Sequence, residues 1–406
     1  MPGVTRRRAL GLAAALAVVV ATVTAPAGAQ TLRRELDDAL TIAGVSRAKT
    51  GALAFDLQSG RVLYGWHRDR SLRPASNEKL GVALAALDRL GPRYRIRTDV
   101  LGAGSRSGST WQGRLVLRGF GDPTLTTADL GKLASKLRAT GIRRVTGRIS
   151  GDETYFDRRR TADGWRPSYY KNESPPLSAL VVDGARVKGR MVDDPALWAA
   201  KAFKKALVAA GISVRRNAGR GTAPAGSPRL ATVRSPSITA IVRRMNKVSD
   251  NFYAEMLVKH LGASVGSAGT TRAGCTVIRR VLAGRDVPLA GVRIVDGSGL
   301  SRHDRATAHA LGRLLISAWR DRAVRAPFFA SLAVAGVDGT LKDRMRTGAA
   351  RGRVRAKTGT TKVASALSGY VGTRYVFSVL QNGRPIALTN ARRAQDRFAR
   401  ALARAL

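Results

Sequence analysis

Residues 31–44 (TLRRELDDALTIAG) space their apolar side chains at the period of a helix with one buried face. The period then changes: Thr50–Asp56 (TGALAFD) and Arg61–Trp66 (RVLYGW) read as two strands around the turn Gln58-Ser59-Gly60. Pro74 and Ser76 open a helix that runs through LGVALAALDRL and is stopped by Gly91-Pro92. From about Arg93 to Leu230 the texture is different. Short alternating strands (Arg114–Arg118, Val145–Ser150) mix with helices over Leu130–Thr140 and Pro195–Ala210, and the stretch ends in the Gly/Pro-rich loop Gly219–Pro228. Helical spacing resumes from Ser237 (ITAIVRRMNK) and again over Asn251–Leu261. Strands over Arg353–Ala356, Ala366–Gly372 and Tyr375–Leu380 precede an amphipathic helix from Ala391 to Leu406. A chain that opens helix–strand–strand–helix and closes strand–strand–strand–helix predicts one α/β domain split by an insertion.

The 406 residues suffice for two or three domains, and 44% hydrophobic with 24% charged residues excludes a wholly disordered or collagen-like chain. Charge is out of balance: 71 Lys+Arg against 27 Asp+Glu give +44, which predicts attraction to a nucleic acid, an anionic membrane or a cell-wall polymer. Solubility and an arginine-rich codon bias fit the same numbers. Arg6-Arg7-Arg8, the apolar run Ala9–Val23 and the small triplet Ala27-Gly28-Ala29 read as a secretory signal peptide over residues 1–29. A twin-arginine route through Thr5-Arg6-Arg7 ranks below the general one. Loss of three arginines from +44 leaves +41 on the mature chain, and export sets nucleic acid aside in favour of envelope polyanions. A single cysteine, Cys275, excludes an internal disulfide and a Cys-rich zinc site, and four histidines without an HExxH pair give no metal site. No cofactor is expected.

Three Ser-x-x-Lys tetrads occur, at Ser46–Lys49, Ser76–Lys79 and Ser168–Lys171, so the tetrad alone singles out nothing. At i and i+3 on a helix the amine reaches the hydroxyl, and at a helix N-terminus backbone N–H groups favour a developing oxyanion. Only Ser76-Asn77-Glu78-Lys79 opens a long apolar helix; Ser46–Lys49 precedes a strand, and Ser168–Lys171 lies in a polar, Pro-flanked loop. Lys-Thr-Gly also occurs twice, at Lys49–Gly51 and Lys357–Gly359. The second copy ends a strand and continues as Thr360-Thr361. There a cation and hydroxyls suit a carboxylate, and free strand amides suit an extended peptide. Lys49 reads as a solvated charge. Ser249-Asp250-Asn251 is by itself an ordinary helix start. Gly262–Gly266 (GASVG) matches a nucleophile elbow, but a helical run precedes it where that turn needs a buried strand.

Taken in order, Ser76-x-x-Lys79, Ser249-Asp250-Asn251 and Lys357-Thr358-Gly359 resemble the motif triad of penicillin-binding proteins and class A β-lactamases. The strings PASNEKL (Pro74–Leu80), GDPTL (Gly121–Leu125), SDNFYAEML (Ser249–Leu257), DGSGLSR (Asp296–Arg302) and AGVDGTL (Ala335–Leu341) narrow the resemblance. They are similar to the D-alanyl-D-alanine carboxypeptidase/endopeptidase family, the class C low-molecular-mass penicillin-binding proteins. The gap from Ser76 to Ser249 exceeds that from Ser249 to Lys357, opposite to β-lactamases, and the family is known for a domain inserted there. His303-Asp304 departs from the family, where an Asn is expected nearby.

The resemblance implies a penicillin-binding-protein/β-lactamase-like transpeptidase domain, an antiparallel sheet with helices on both faces, over 30–92 and 232–406. An inserted α+β domain would occupy 93–231. It implies a serine DD-peptidase acting on the terminal D-Ala-D-Ala bond of peptidoglycan stem peptides, exported and acylated by β-lactams. Ser76 would be the nucleophile, and Lys79 the general base, lowered by burial and by the charge of Lys357. Ser249 would relay the proton, Asn251 would position Lys79 and substrate, and Ser76 and Thr360 would supply oxyanion N–H groups. Lys357, Thr358, Gly359 and Thr360 would hold the terminal carboxylate. Ser298 is a substrate contact in this scheme, and Asp152, Glu153 and Tyr155 are candidates to read an ammonium on the stem. Asp122 is expected to order its own turn. The apolar stripe Ala394, Phe398, Leu402 of the last helix suits packing on the sheet, with peripheral membrane contact as the sharper alternative. A β-lactamase or esterase on the same fold and a non-catalytic wall-binding protein remain as rivals.

Overall fold

A computed structural model describes residues 3, 27–187 and 189–406; the leader expected over 1–29 lies, except for residues 3 and 27–29, outside these. The described chain opens with α1 (Ala27–Ala39), β1 (Thr50–Asp56), β2 (Val62–Trp66) and α2 (Lys79–Arg89), the last entered through a 3-10 turn over Ala75–Glu78. A second group follows: β3 (Arg97–Ser107), β4 (Thr110–Gly119), α3 (Thr127–Ala139), β5 (Arg144–Val145), β6 (Ile149–Asp152), β7 (Arg186–Val187), β8 (Arg190–Met191), α4 (Pro195–Ala209), β9 (Ser213–Val214), β10 (Gly219–Arg220) and β11 (Arg229–Arg234). The chain ends with α5 (Ile238–Lys247), α6 (Asn251–Ser264), α7 (Thr271–Ala283), α8 (Ala308–Arg320), α9 (Arg322–Ser331), β12 (Ala333–Val334), β13 (Val354–Thr361), β14 (Ala364–Val371), β15 (Tyr375–Asn382) and α10 (Leu388–Arg404).

The first and third groups share one antiparallel sheet, ordered β12-β13-β14-β15-β1-β2. Apart from the edge strand β2 and the end of β13, its strands are buried on both faces, and their side chains divide with the period of two that a pleated strand imposes. Ala366, Tyr370, Val376 and Leu380 face a cluster with α2 and α5–α9, while Leu367, Val371, Phe377 and Val379 face α1 and α10. The stripe Ala394, Phe398 and Leu402 is fully buried on that second face, so it is not available to a membrane. No helix among the described residues is long and apolar enough to cross one. Helix α2 is buried at every position from Lys79 to Leu87, which makes it a central rod rather than an amphipathic cover.

The middle group builds its own sheet, β10-β6-β4-β3-β11, with β5 and β9 beside it and Leu133, Leu137, Phe203 and Leu207 of α3 and α4 packed on it. Its first and last strands are neighbours, with Arg97 opposite Arg234. The expected boundary between 231 and 232 therefore falls inside β11. The single strand expected over Val145–Ser150 is two short ones, β5 and β6. Helices α7, α8 and α9 and the long strand β3 are additions to what the sequence pattern predicts.

Candidate active site

Ser76 stands on the 3-10 turn, and Lys79, one turn on, is the first residue of α2. The Lys79 amine is fully buried and lies 2.9 Å from Ser76 Oγ, donates to Asn251 Oδ1 at 2.8 Å and to the Ser298 carbonyl at 2.7 Å. Asn251 begins α6, capped by Asp250, whose carboxylate accepts from the Tyr253 N–H. Ser249, just before the cap, takes a left-handed φ of 60°, and its hydroxyl accepts from the buried Lys357 amine at 2.9 Å. Lys357 also donates to the Thr358 carbonyl at 2.8 Å. The three motifs thus meet through two amines.

Strand β13 reaches the nucleophile because residue 359 has no side chain: a Cβ there would sit 2.7 Å from the Pro74 carbonyl oxygen and 3.2 Å from Ala75 Cβ. The short β12 pairs only with Arg355 and Ala356, so the edge of β13 from Lys357 onward is not covered by β12. Thr358 is half-buried with its hydroxyl donating to Thr340 Oγ1 at 2.8 Å, while Thr360 is exposed. Beside the motif residues lies a cavity of about 500 Å³ walled by Ser249, Asn251, Glu173, Arg244 and the Pro123–Thr126 stretch of the GDPTL loop.

Burial brings Lys79 down to about 8, against the charges of Asp296, Glu255, Asp250 and Glu78, which favour its protonated form. Burial first, and then the charge of Lys79, push Lys357 well below the ordinary lysine value. The expected pressure of Lys357 on Lys79 is thereby corrected: burial does the work on Lys79, and the repulsion bears on Lys357. Around Lys79 lie four buried carboxyls, Glu78, Glu255, Asp296 and Asp304. Burial, then their mutual repulsion, raises Glu78 and Asp304 well above the usual carboxylate range. The same causes bring Glu255 to about 8.

Several expected contacts take another form. The Ser298 side chain is fully buried and its hydroxyl donates to Asp296 Oδ2 at 3.1 Å; what it offers the site is its carbonyl, on Lys79. Asp152 is 2% exposed, accepts from the Thr154 N–H and hydroxyl and lies 3.5 Å from Arg118. Glu153 is gripped by both nitrogens of Arg160 and by the Ser178 hydroxyl, which hold it below its ordinary value although burial pushes it up. Tyr155 packs edge-on against Phe120, 5.0 Å between centroids, beside His260. These three are therefore saturated by their own surroundings and are corrected as ammonium readers. Asp122 orders its turn as expected, accepting from the Thr124 N–H and hydroxyl, and burial raises it to about 6.

The decoys resolve physically. Lys171 pairs with Asp193 at 2.6 Å, and Ser264 closes helix α6 with its hydroxyl on the His260 carbonyl, so no elbow forms. Sequence reasoning missed Glu173, whose exposed backbone carbonyl accepts from Asn251 Nδ2 at 3.0 Å with its carboxylate 3.5 Å from the same nitrogen. Its one signal was the polar, Pro-flanked loop around it. Among the described residues no group of three or more His, Cys, Asp or Glu is placed to hold a metal ion.

The sequence model of a family described as D-Ala-D-Ala carboxypeptidase 3 (S13) matches residues 32–191 and 185–404. A D-alanyl-D-alanine carboxypeptidase of Actinomadura sp. (strain R39) is 33% identical over 89% of this chain and 83% of its own. Carboxypeptidase DacB of Mycolicibacterium smegmatis is 30% identical over 94% and 81%. In fold, the chain is similar to penicillin binding protein 4 (dacB) from Haemophilus influenzae, with a TM-score of 0.79 at 20% identity over 91% of this chain and 98% of that one. A second structure of that protein, complexed with a β-lactam, gives 0.73 at the same identity and coverage.

Proposed function

The chain belongs to the D-Ala-D-Ala carboxypeptidase 3 (S13) family, and on that premise we propose that it hydrolyses the terminal D-Ala-D-Ala bond of peptidoglycan stem peptides through an acyl-enzyme on Ser76. The observation that carries this is the Lys79 amine. A neutral amine has two N–H groups and one lone pair. Asn251 Oδ1 and the Ser298 carbonyl take both N–H groups, which leaves the lone pair for the Ser76 hydroxyl 2.9 Å away. A lysine held at about 8 is neutral in about one molecule in ten at pH 7, far more than an ordinary lysine, and only the neutral form can act as a base.

Ser76 Oγ bonds the carbonyl carbon as its proton passes to Lys79. Backbone N–H groups of Ser76 and Thr360 stabilise the oxyanion. Collapse breaks the C–N bond, and the departing D-alanine amine takes the proton that Lys79 received, relayed by Ser249, so Lys79 is neutral again for the next step; Ser249 itself is held by the Lys357 amine. Water then cleaves the ester and restores the Ser76 hydroxyl. Lys357, Thr358, Gly359 and Thr360 receive the terminal carboxylate, and the free edge of β13 pairs with the peptide. A β-lactam enters by the same attack and stays as the acyl-enzyme. In place of Asp152 and Glu153, the carboxylate offered to a stem-peptide ammonium is Glu173, at the wall of the 500 Å³ cavity.

Such a substrate places the enzyme outside the cytoplasm, and the leader over 1–29 is the means of export. Anionic wall polymers are the partners its charge favours. A groove of about 900 Å³ on the middle sheet, lined by Arg114, Arg148, Arg215 and Arg216 and by no acidic side chain, supports that partner. A fluorescent penicillin should label wild type and leave Ser76→Ala unlabelled, and wild type should release D-alanine from a pentapeptide ending in D-Ala-D-Ala. Labelling that survives the substitution, or no D-alanine release, overturns the proposal.

A further inference from the structure

Of the two oxygens that hold the Lys79 amine, Asn251 Oδ1 comes from a regular helix, whereas the Ser298 carbonyl belongs to the irregular loop 296–301. Buried carboxyls fix that loop. Asp296 accepts from the Gly299 N–H at 2.7 Å through Oδ1, and through Oδ2 from the Ser301 N–H at 2.7 Å and the Trp165 indole at 2.8 Å. Glu255 supplies a second grip. It lies one turn beyond Asn251 on the same face of α6, and its Oε1 alone accepts from the Gly297 N–H at 3.0 Å and the Ser298 N–H at 2.8 Å. Its other oxygen is buried with no hydrogen-bond partner among the described residues.

We propose that Glu255 is a positioning residue for acyl transfer: by holding the Gly297 and Ser298 N–H groups it sets the Ser298 carbonyl against the Lys79 amine, and so aims the amine at Ser76. The role builds on Lys79 acting as the base. It also gives a physical reason for the Glu of SDNFYAEML, which the catalytic scheme leaves idle: it clamps the Gly-Ser of DGSGLSR. What the loop needs from residue 255 is one acceptor oxygen at full glutamate reach. Burial, and then the charge of Asp296, disfavour the ionised form of this carboxyl, so the role asks for an acceptor rather than a charge.

The test separates reach from charge. Glu255→Gln keeps the acceptor and the length, whereas Glu255→Asp keeps the acid and shortens the arm by about one C–C bond, close to 1.5 Å. Acylation by benzylpenicillin is followed at pH 7, resolving the acylation constant from the binding constant, with unfolding temperatures measured alongside. The expectation is Glu255→Gln within about threefold of wild type, and Glu255→Asp and Glu255→Ala slower by roughly tenfold or more in the acylation constant, with binding unchanged. Should Glu255→Ala not fold, the Gln/Asp pair decides. An Asp variant at wild-type rate, or a Gln variant as slow as Asp, overturns the proposal. Labelling of wild type and Ser76→Ala in the same experiment keeps this outcome distinct from failure of the acyl-enzyme scheme itself.

Discussion

Gly299→Ala probes how tightly the nucleophile is held. Gly299 takes a φ of +81° in the loop below Ser76, and a Cβ built on it would lie 1.9 Å from the Ala75 carbonyl oxygen and 3.0 Å from the Ser76 nitrogen. Both sides are held: the Asp296 carboxylate takes the Gly299 N–H at 2.7 Å, and Gly359 of β13 abuts Pro74 and Ala75. The methyl cannot swing away, so the Ala75–Ser76 peptide must retreat by about 1 Å or more to reach van der Waals separation. A misplacement of about 1 Å at a reacting group costs on the order of 100-fold in rate, or roughly 2.7 kcal/mol of barrier. The positive φ adds roughly 1 kcal/mol of folding strain, a few degrees at most in unfolding temperature for a chain this long. The assay is the rate of fluorescent-penicillin labelling alongside a thermal melt. A folded variant that acylates within threefold of wild type would refute the close backbone approach as the element fixing Ser76.

Two further outcomes follow from titration. With the neutral amine of Lys79 as the proposed base, acylation should rise about tenfold per pH unit below about 8 and level off above it; an acid limb centred near 4 would assign the base to a carboxylate instead. His260 is buried with Nδ1 on the Phe120 carbonyl, and burial lowers it from 6.5 to about 4. Its neutral form is the folded one, so its contribution is complete above 6.5 and is lost as pH falls from 6.5 towards 4, by roughly 3 kcal/mol in all. Urea unfolding of wild type against His260→Gln between pH 7 and 4 should converge, and parallel curves would remove His260 from the acid response.

The parts of the site that were legible in the sequence are those that local structure enforces. Ser76 and Lys79 share a face one turn apart, Asn251 starts a capped helix, and Lys357 sits in a strand of clear alternation. The acids were not legible. Whether a carboxylate in GDETYFD is free depends on Arg160 and Ser178, which fold back on Glu153 from beyond the motif. Ser298 reads from the sequence as a substrate contact, yet a loop can turn either its side chain or its carbonyl to a site, and here the grip of Glu255 and Asp296 turns the carbonyl to Lys79. Strand β3 hid behind Gly102 and Gly104, poor strand formers kept where Trp111 and the Gln112 carbonyl press against the backbone. Helix α9 carries Pro327 inside it, which reads as a break.

Because Arg97 and Arg234 stand opposite one another in adjacent strands, the polypeptide departs from the catalytic body and returns to it within about one strand spacing, ~5 Å. The ends of the host thus put no demand on the length of what is spliced between them, but Trp165 on Asp296 and Glu173 on Asn251 tie the segment to the catalytic loops, so a cassette traded in there must bring those two contacts with it. Whatever its length, such a graft is anchored at both its root and its tip.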